Sequence, residues 1–324
     1  MRYLVTGGAG FIGSHLVEEL LQRGDEVHVV DDLSTGAAAN IEPFKPNPRF
    51  HYKIDSVMNF SLVAELVDNA DVVFHLAAAV GVFLVLQSPV HTIETNIRGT
   101  EIVLHHAGKK KRKVILASTS EVYGSSMSAR FREDDDLVLG PPTQGRWSYA
   151  CSKALDEFLA LAHHREHGLP VVIARIFNTV GPRQTGRYGM VVPRFVSQAL
   201  AGGPITIYGD GTQTRAFAYV KDTVRALIGL ADSDAAVGEI FNVGSDEETT
   251  IGELAERVQR LVNPQASIAH VPYEQAYAPG FGDMLRRVPD VSKLRRLLGQ
   301  PPTLGIDGII EKVRDHLVAH GDRS

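Results

Sequence analysis

Cysteine is almost absent from this chain: Cys151 is the one such residue among 324. A lone cysteine excludes an intramolecular disulfide framework and fits a reducing compartment. It is expected to be a small core-facing helix residue rather than a nucleophile. Long apolar runs are also missing. The longest, Val72 to Leu86, contains His75 and is too short to span a bilayer. Met1 leads almost directly into a strand pattern, with neither a basic nor an apolar leader, so a cytoplasmic location without a signal peptide is expected. Charge of either sign is in little excess, at a formal net −5, which points to neither nucleic acid nor a membrane surface as partner. The one basic block, Lys109 to Lys113, lies between a helical pattern and a strand and reads as a solvated loop. Histidine is plentiful, but His105-His106 and His163-His164 are adjacent pairs whose side chains diverge on a helix, so no metal site is expected. Repeats and low-complexity segments are lacking as well.

What is present is an alternation of strands and helices. Tyr3-Leu4-Val5 reads as a strand, Gly7-x-x-Gly10-x-x-Gly13 follows at once, and Leu16, Val17, Leu20 and Leu21 trace a helix ending at Gly24. Glycines there permit a tight turn and let the backbone approach a pyrophosphate at a helix N-terminus. Gly7, Gly10, Phe11, Ile12 and Gly13 are therefore candidate cofactor residues. A second strand, Val27 to Val30, ends in Asp31, about 20 residues after the glycines, as a ribose ligand requires. Asp31 and Asp32 would repel an adenosine 2′-phosphate, so NAD is expected rather than NADP. Leu33, Ser34, Thr35 and Gly36 would surround the adenosine. A third strand, Phe50 to Ile54, ends in Asp55-Ser56. A fourth, Asp71 to Leu76, runs into Ala77-Ala78-Ala79, small residues that let the backbone lie against a cofactor. His75 reads as a core histidine. Asn96 sits near the middle of a helical pattern from Pro89 to Gly108. The alternation implies a parallel, doubly wound α/β sheet of the Rossmann type.

The chemistry-bearing residues come next. Val114-Ile115-Leu116-Ala117 is a buried strand, so Ser118-Thr119-Ser120-Glu121 falls at its carboxyl end, where open α/β sheets bind ligands. Tyr149 and Lys153 lie four apart on one helical face. An ammonium beside a phenol favours the phenolate, which gives a general base near neutral pH. Cys151, Ala154, Leu155, Phe158, Leu159 and Ala162 recur at helical spacing as an apolar stripe. A further strand, Val171 to Ala174, runs into Arg175-Ile176-Phe177-Asn178, and there the alternation ends. Val192 to Ala201 is helical, Ile205 to Tyr208 and Thr214 to Val220 read as strands, and Asp222 starts a helix. Ile240 to Val243 reads as a return to the main sheet, and Thr250-x-x-Glu253 is a capping box. Two helices close the chain, one ending at Gly299. The implied division is a nucleotide-binding domain over 1–178, with about 217–245 returning to it, and a smaller, interleaved α/β domain over 179–324.

These motifs, taken in order with Tyr208-Gly209-Asp210-Gly211, resemble the extended short-chain dehydrogenase/reductase family and its NAD-dependent nucleotide-sugar epimerases, dehydratases and decarboxylases. The resemblance implies that Thr119 bonds the sugar oxygen at carbon 4, with Ser120 and Glu121 beside it, that Tyr149 is the base, and that Lys153 assists it and holds the nicotinamide ribose, near Ile176. It implies nucleotide-sugar contacts at Asn178 and Arg215, with Val80, Thr179, Val192, Tyr208 and Gln213 along the pocket and Asp283 and Arg286 in a closing segment. Arg287 stands in the same segment, and for both Arg286 and Arg287 a surface ion pair is the open alternative. It also implies a homodimer built on a four-helix bundle. The 4,6-dehydratases carry Asp-Glu where this chain has Ser120-Glu121, which argues against dehydration. Decarboxylases of UDP-glucuronate share Thr-Ser-Glu and Arg-Ile-Phe-Asn-Thr, whereas Ser152 before Lys153 is as in many epimerases. The expected activity is 4-epimerisation of a UDP-sugar, interconverting UDP-glucuronate and UDP-galacturonate. Arg187, or else Arg183, would grip the sugar carboxylate. The alternatives are a UDP-glucuronate decarboxylase, a UDP-glucose 4-epimerase and a non-catalytic NAD-binding sensor.

Overall fold

The computed structural model describes residues 1–81, 88–185, 190–272, 275 and 286–321. Six strands, β1 (Arg2–Thr6), β2 (Glu26–Asp31), β3 (Phe50–Ile54), β4 (Val72–His75), β5 (Lys113–Thr119) and β6 (Val171–Ile176), join Ile240–Val243 in a seven-stranded sheet. The order is Ile240–Val243, β6, β5, β4, β1, β2, β3, with every neighbouring pair parallel. Central strands such as β4 and β6 are buried along nearly their whole length, which is why they read as continuous apolar runs. In β3, by contrast, Phe50 alone is buried, and its polar residues suit an edge strand. The winding reverses between β1 and β4, and there the strand ends open a crevice.

Both faces of the sheet are covered. On one, Val5, Val29, Phe74 and Ile115 pack against Leu16 and Leu20 of the Phe11–Gln22 helix and Leu227 and Leu230 of the Val220–Asp232 helix. On the other, Leu4, Val30, Val73 and Leu116 meet the Phe60–Asn69, Pro89–Lys110 and Trp147–His167 helices. A separate core, with Phe195, Ile207, Leu254, Val258 and Ile309 at its centre, forms among the Val191–Leu200, Ile251–Val262 and Ile306–His320 helices and the parallel pair Ile205–Tyr208 and Ile268–Val271. The Thr250–Glu253 capping box is formed as read. So is the return of Ile240–Val243 to the main sheet, where it pairs with β6.

Three expectations need correcting. The segment from Thr214 is not one strand. Thr214–Ala216 pairs with Glu248–Thr250 and Arg286–Arg287, and Ala218–Tyr219 pairs with Thr179–Val180 in another sheet. The two pieces serve different partners on either side of Phe217, which is buried in the smaller core. The basic block is not a loop. Lys109 and Lys110 end a helix, where cations meet its negative pole, Lys111 closes it in the left-handed conformation, and Lys113 begins β5 with its ammonium on the Ala231 and Ser233 carbonyls and on Asp234. Cys151 is exposed, and so are Leu155 and Phe158, the latter at 68%. Small residues such as Ala150, Ala154 and Ala160 fill the inner face of that helix, so the bulkier stripe points outward. His75 is a core residue as expected, bonded to Thr6 and Thr100, and burial pushes its pKa down to about 3.

The Trp147–His167 helix is tied to the sheet by a buried ion pair. Arg175, on β6, reaches Glu157 through Nε at 3.0 Å and Nη2 at 2.8 Å, both side chains are 4% exposed, and Ser118 on β5 donates to the same carboxylate. Glu157→Ala would leave the guanidinium buried and unpaired, and should cost about 3–5 kcal/mol in urea unfolding. A loss below about 1 kcal/mol, typical of a surface pair, would contradict this account of the anchor.

Candidate active site

The glycine turn sits at the switch point, at the end of β1. Gly7 has φ of 74°, and a Cβ there would lie 2.8 Å from the Ala77 nitrogen, while one on Gly13 would lie 2.1 Å from the Gly7 oxygen. The backbone has closed to distances that glycine alone permits. The helix that follows has Gly10 at its N-cap, with no side-chain cap and no acidic residue in its first turn. Its first N–H groups, around Phe11 and Ile12, thus favour an anion. Asp31 accepts N–H bonds from Ala9 (2.9 Å) and Leu33 (2.8 Å), and its burial raises its pKa. Asp32 is exposed and receives the Ser34 N–H. The loop through Thr35 and Gly36 lies against the glycine turn, since a Cβ on Gly36 would sit 3.0 Å from Ala9. Asp55 takes its N–H bond to the Asp31 carbonyl and holds Ser56 and Asn59 with its carboxylate. Leu76 and Ala77 bond back to Thr6. Asn96 is a clamp: it binds both polar atoms of the Ala79 backbone, beyond Ala78, and donates to Ser152. This set fits a dinucleotide.

Next to it stand the reactive groups. Thr119 ends β5 beside Ile176 of β6, and its hydroxyl caps the short turn Ser120–Tyr123 by accepting the Glu121 N–H. The Tyr149 phenol has its pKa raised, first by burial and then by the charge of Glu121, with Asp156 adding to the rise and a hydrogen bond from Thr119 opposing it. The lowering expected from Lys153 is therefore corrected. The lysine's ammonium is engaged by Asp156 at 2.8 Å, in a pair 2% and 0% exposed. Glu121 itself is held by two guanidiniums, Arg287 in direct contact and Arg146 at 3.7 Å. Arg146 also lies 4.6 Å over the Trp147 ring.

The remaining candidates are more widely spread. Asn178 donates to the Ala216 carbonyl and Gln213 to that of Tyr208, whose ring lies 4.0 Å from the Arg194 guanidinium. Arg215 is buried, with one N–H on the Thr214 carbonyl. Thr179 is bonded to Phe177 and Thr223, and Val192 is in the smaller core. Val80 is exposed. Arg286 and Arg287 divide their work: Arg286 grips Glu248 through two bonds of 2.7 Å, and Arg287 turns to Glu121. Arg187 and Asp283 lie outside the described residues. Arg146, Asp156 and Glu157 were missed by sequence reasoning, although all three fall at i±3 or i±4 from Tyr149 or Lys153, where a helical-face reading could have found them. Away from this site, Glu26, His28 and His51 bring ligand-type atoms within 4.8 Å of one another at the β2–β3 edge, where His28 pairs with Glu26 at 2.8 Å.

A glycine cradle at a switch point, a carboxylate at the end of β2 and a phenol bonded to the hydroxyl at the end of β5 suit a dinucleotide-dependent enzyme. The chain matches the NAD dependent epimerase/dehydratase family over residues 3–244, and it belongs to that family. Its cofactor is NAD. It is 46% identical over 298 residues to a UDP-N-acetyl-alpha-D-glucosaminuronate decarboxylase of Bacillus cytotoxicus, covering 91% of each chain. To UDP-glucuronic acid decarboxylase 1 of Arabidopsis thaliana it is 39% identical, over 97% of this chain and 69% of that one. Among solved structures it resembles UDP-glucuronic acid 4-epimerase from Bacillus cereus, in complex with UDP-glucuronic acid and NAD, with a TM-score of 0.87 and 31% identity over 98% of this chain and 99% of the other. Among the described residues no helix is long and apolar enough to cross a membrane.

With Asp31 and Asp32 proposed to face the adenosine ribose, NAD should bind at least about tenfold more tightly than NADP in direct titration. Gly13→Ala should abolish that binding. Equal affinities for the two dinucleotides would contradict the assignment of the carboxylates.

Proposed function

We propose that the protein is a decarboxylase of a UDP-linked hexuronic acid, acting through a 4-keto sugar. This replaces 4-epimerisation as the leading reading, because the decarboxylase relatives are the more similar in sequence. The observation that carries it is the Arg146–Glu121–Arg287 cluster. Arg146 and Arg287 both bear on Glu121, whose charge reaches Tyr149, and guanidiniums in that position suit a substrate carboxylate. NAD, when bound in the glycine cradle, would supply the hydride chemistry at sugar carbon 4. Tyr149 takes the proton of the 4-hydroxyl, and Thr119 bonds the same oxygen. The resulting ketone is a β-keto acid. Its bond from carbon 5 to the carboxylate breaks, carbon dioxide leaves, and the electron pair passes to the carbon 4 oxygen as an enolate. Glu121, held by its two arginines, takes a proton from solvent and passes it to carbon 5, so that it begins and ends each turnover as a carboxylate. Arg146 and Arg287 thereby take the carboxylate role first given to Arg187.

The outward stripe on the Trp147–His167 helix supports a second element of the reading. Leu155 and Phe158, with Val90 and Ile93 on the adjacent Pro89–Lys110 helix, expose 46%, 68%, 67% and 37%, an apolar surface that a second copy would cover. The protein should sediment as a dimer, and Phe158→Glu should yield monomers. A monomeric wild type would remove this element.

Incubation with UDP-glucuronate and with UDP-N-acetylglucosaminuronate, followed by NMR, should give a pentose nucleotide and carbon dioxide from at least one of them. Glu121→Gln should lower turnover by about 100-fold or more with NAD binding intact, within the range of general acid–base catalysis. Conversion of either hexuronate to its 4-epimer without gas release would overturn the decarboxylase reading.

A further inference from the structure

Tyr149, Lys153 and Asp156 share one face of their helix. The tyrosine and the aspartate are seven residues apart, close to two full turns, and the lysine lies between them. Lys153 Nζ is 2.8 Å from Asp156 Oδ2, and neither side chain reaches solvent. Burying two charges is costly, and neutral residues of similar size often serve packing as well or better. The pair therefore points to work on the reactive groups rather than to support of the helix.

Its surroundings single it out. From the Pro89–Lys110 helix, Thr100 and Asn96 are neutral. From β4, His75 is kept uncharged, with Lys153 reinforcing the effect of burial. On the same helix, Glu157 is matched by Arg175 from β6. After β5, Glu121 is matched by Arg287 and Arg146. The Lys153 ammonium has Asp156 as its ion-pair partner. An ammonium has three N–H donors. With one fixed by Asp156, the remaining two are left for other acceptors.

We propose that Asp156 is the positioning residue of the catalytic lysine: its carboxylate fixes the ammonium through one N–H and offsets its charge, so that it governs how readily Tyr149 yields its proton. The inference rests on Tyr149 being the base. Removing the carboxylate's charge while keeping an acceptor should take away its opposition to the phenolate. Asp156 already raises the phenol's pKa, so the sign is fixed: without it the phenolate forms at lower pH.

Two variants separate charge from position. In Asp156→Asn an oxygen still accepts from Lys153, and the acid limb of the kcat/KM profile should move down by about one pH unit with NAD affinity within about threefold of wild type. Asp156→Ala loses acceptor and charge together. It should show the same displacement of the limb, and in addition a drop in NAD affinity of about tenfold or more, on the scale of a lost hydrogen bond to a charged group. Asp156→Ser provides the same charge reading should the asparagine variant not fold, and Asp156→Glu should restore the wild-type limb. Reduced amplitude with an unmoved limb in every neutral variant would overturn the proposal, because that is what a purely structural pair predicts. The profile can be followed on whichever product the enzyme makes, so it stands apart from the choice between decarboxylation and epimerisation. Full turnover by Tyr149→Phe would instead remove the base assignment itself.

Discussion

The Glu157–Arg175 pair is the contact on which the geometry of the reactive groups depends. Arg175 projects from β6, and Glu157 stands one turn beyond Lys153 on the Trp147–His167 helix. Ser118, the residue before Thr119, closes the arrangement from β5. One buried carboxylate thus ties the helix that bears Tyr149 to the strand that bears Thr119. Tyr123, beside the Arg175 guanidinium, extends the same network through Asn242 to the backbone at Phe131 and Asp290. The segment that follows β5 and the one that leads to Ser292 are held to the sheet by these bonds. A charge pair that is this well satisfied and this well buried resists sliding, because displacement of either partner exposes an uncompensated ion to a medium of low polarity.

Much of the cofactor half was legible because it rests on local rules. A strand followed by spaced glycines needs those glycines where a Cβ would strike Ala77 or Gly7 itself, and the carboxylate at the end of β2 follows from the strand pairing. The capping box at Thr250 is readable for the same reason: its partners are three residues apart. Contacts between distant segments were harder. That Arg287 rather than Arg286 would reach Glu121 depends on the register of a two-residue strand against Thr214–Ala216, which no local pattern sets. Cys151, Leu155 and Phe158 recur with the period of a buried face, yet they point outward, while Ala154 of the same stripe is buried. Periodicity reports that a helix has an apolar side and does not say whether the chain itself covers it.

The proton affinity of Tyr149 shows how a pairwise rule can mislead. Lysine beside tyrosine does favour the phenolate, but burial of the ring and the charge of Glu121 weigh more, and Asp156 engages the lysine. The same Glu121 bears on the reaction. In an epimerase the 4-keto sugar must survive long enough to turn over, whereas a decarboxylase must break a carbon–carbon bond and then protonate carbon 5. A carboxylate held by two arginines near Tyr149 supports the second programme, and so do the sequence relatives that match 91% and 97% of the chain.

Carbon 5 is where the two programmes differ most sharply. Decarboxylation replaces the carboxylate with a proton that comes from solvent through the enzyme, while simple epimerisation never touches that carbon. Turnover of a UDP-hexuronate in deuterium oxide, read by proton NMR and mass spectrometry, should give a pentose product carrying one deuterium at carbon 5. A hexuronate product inverted at carbon 4, with its original carbon 5 hydrogen retained, would contradict the account.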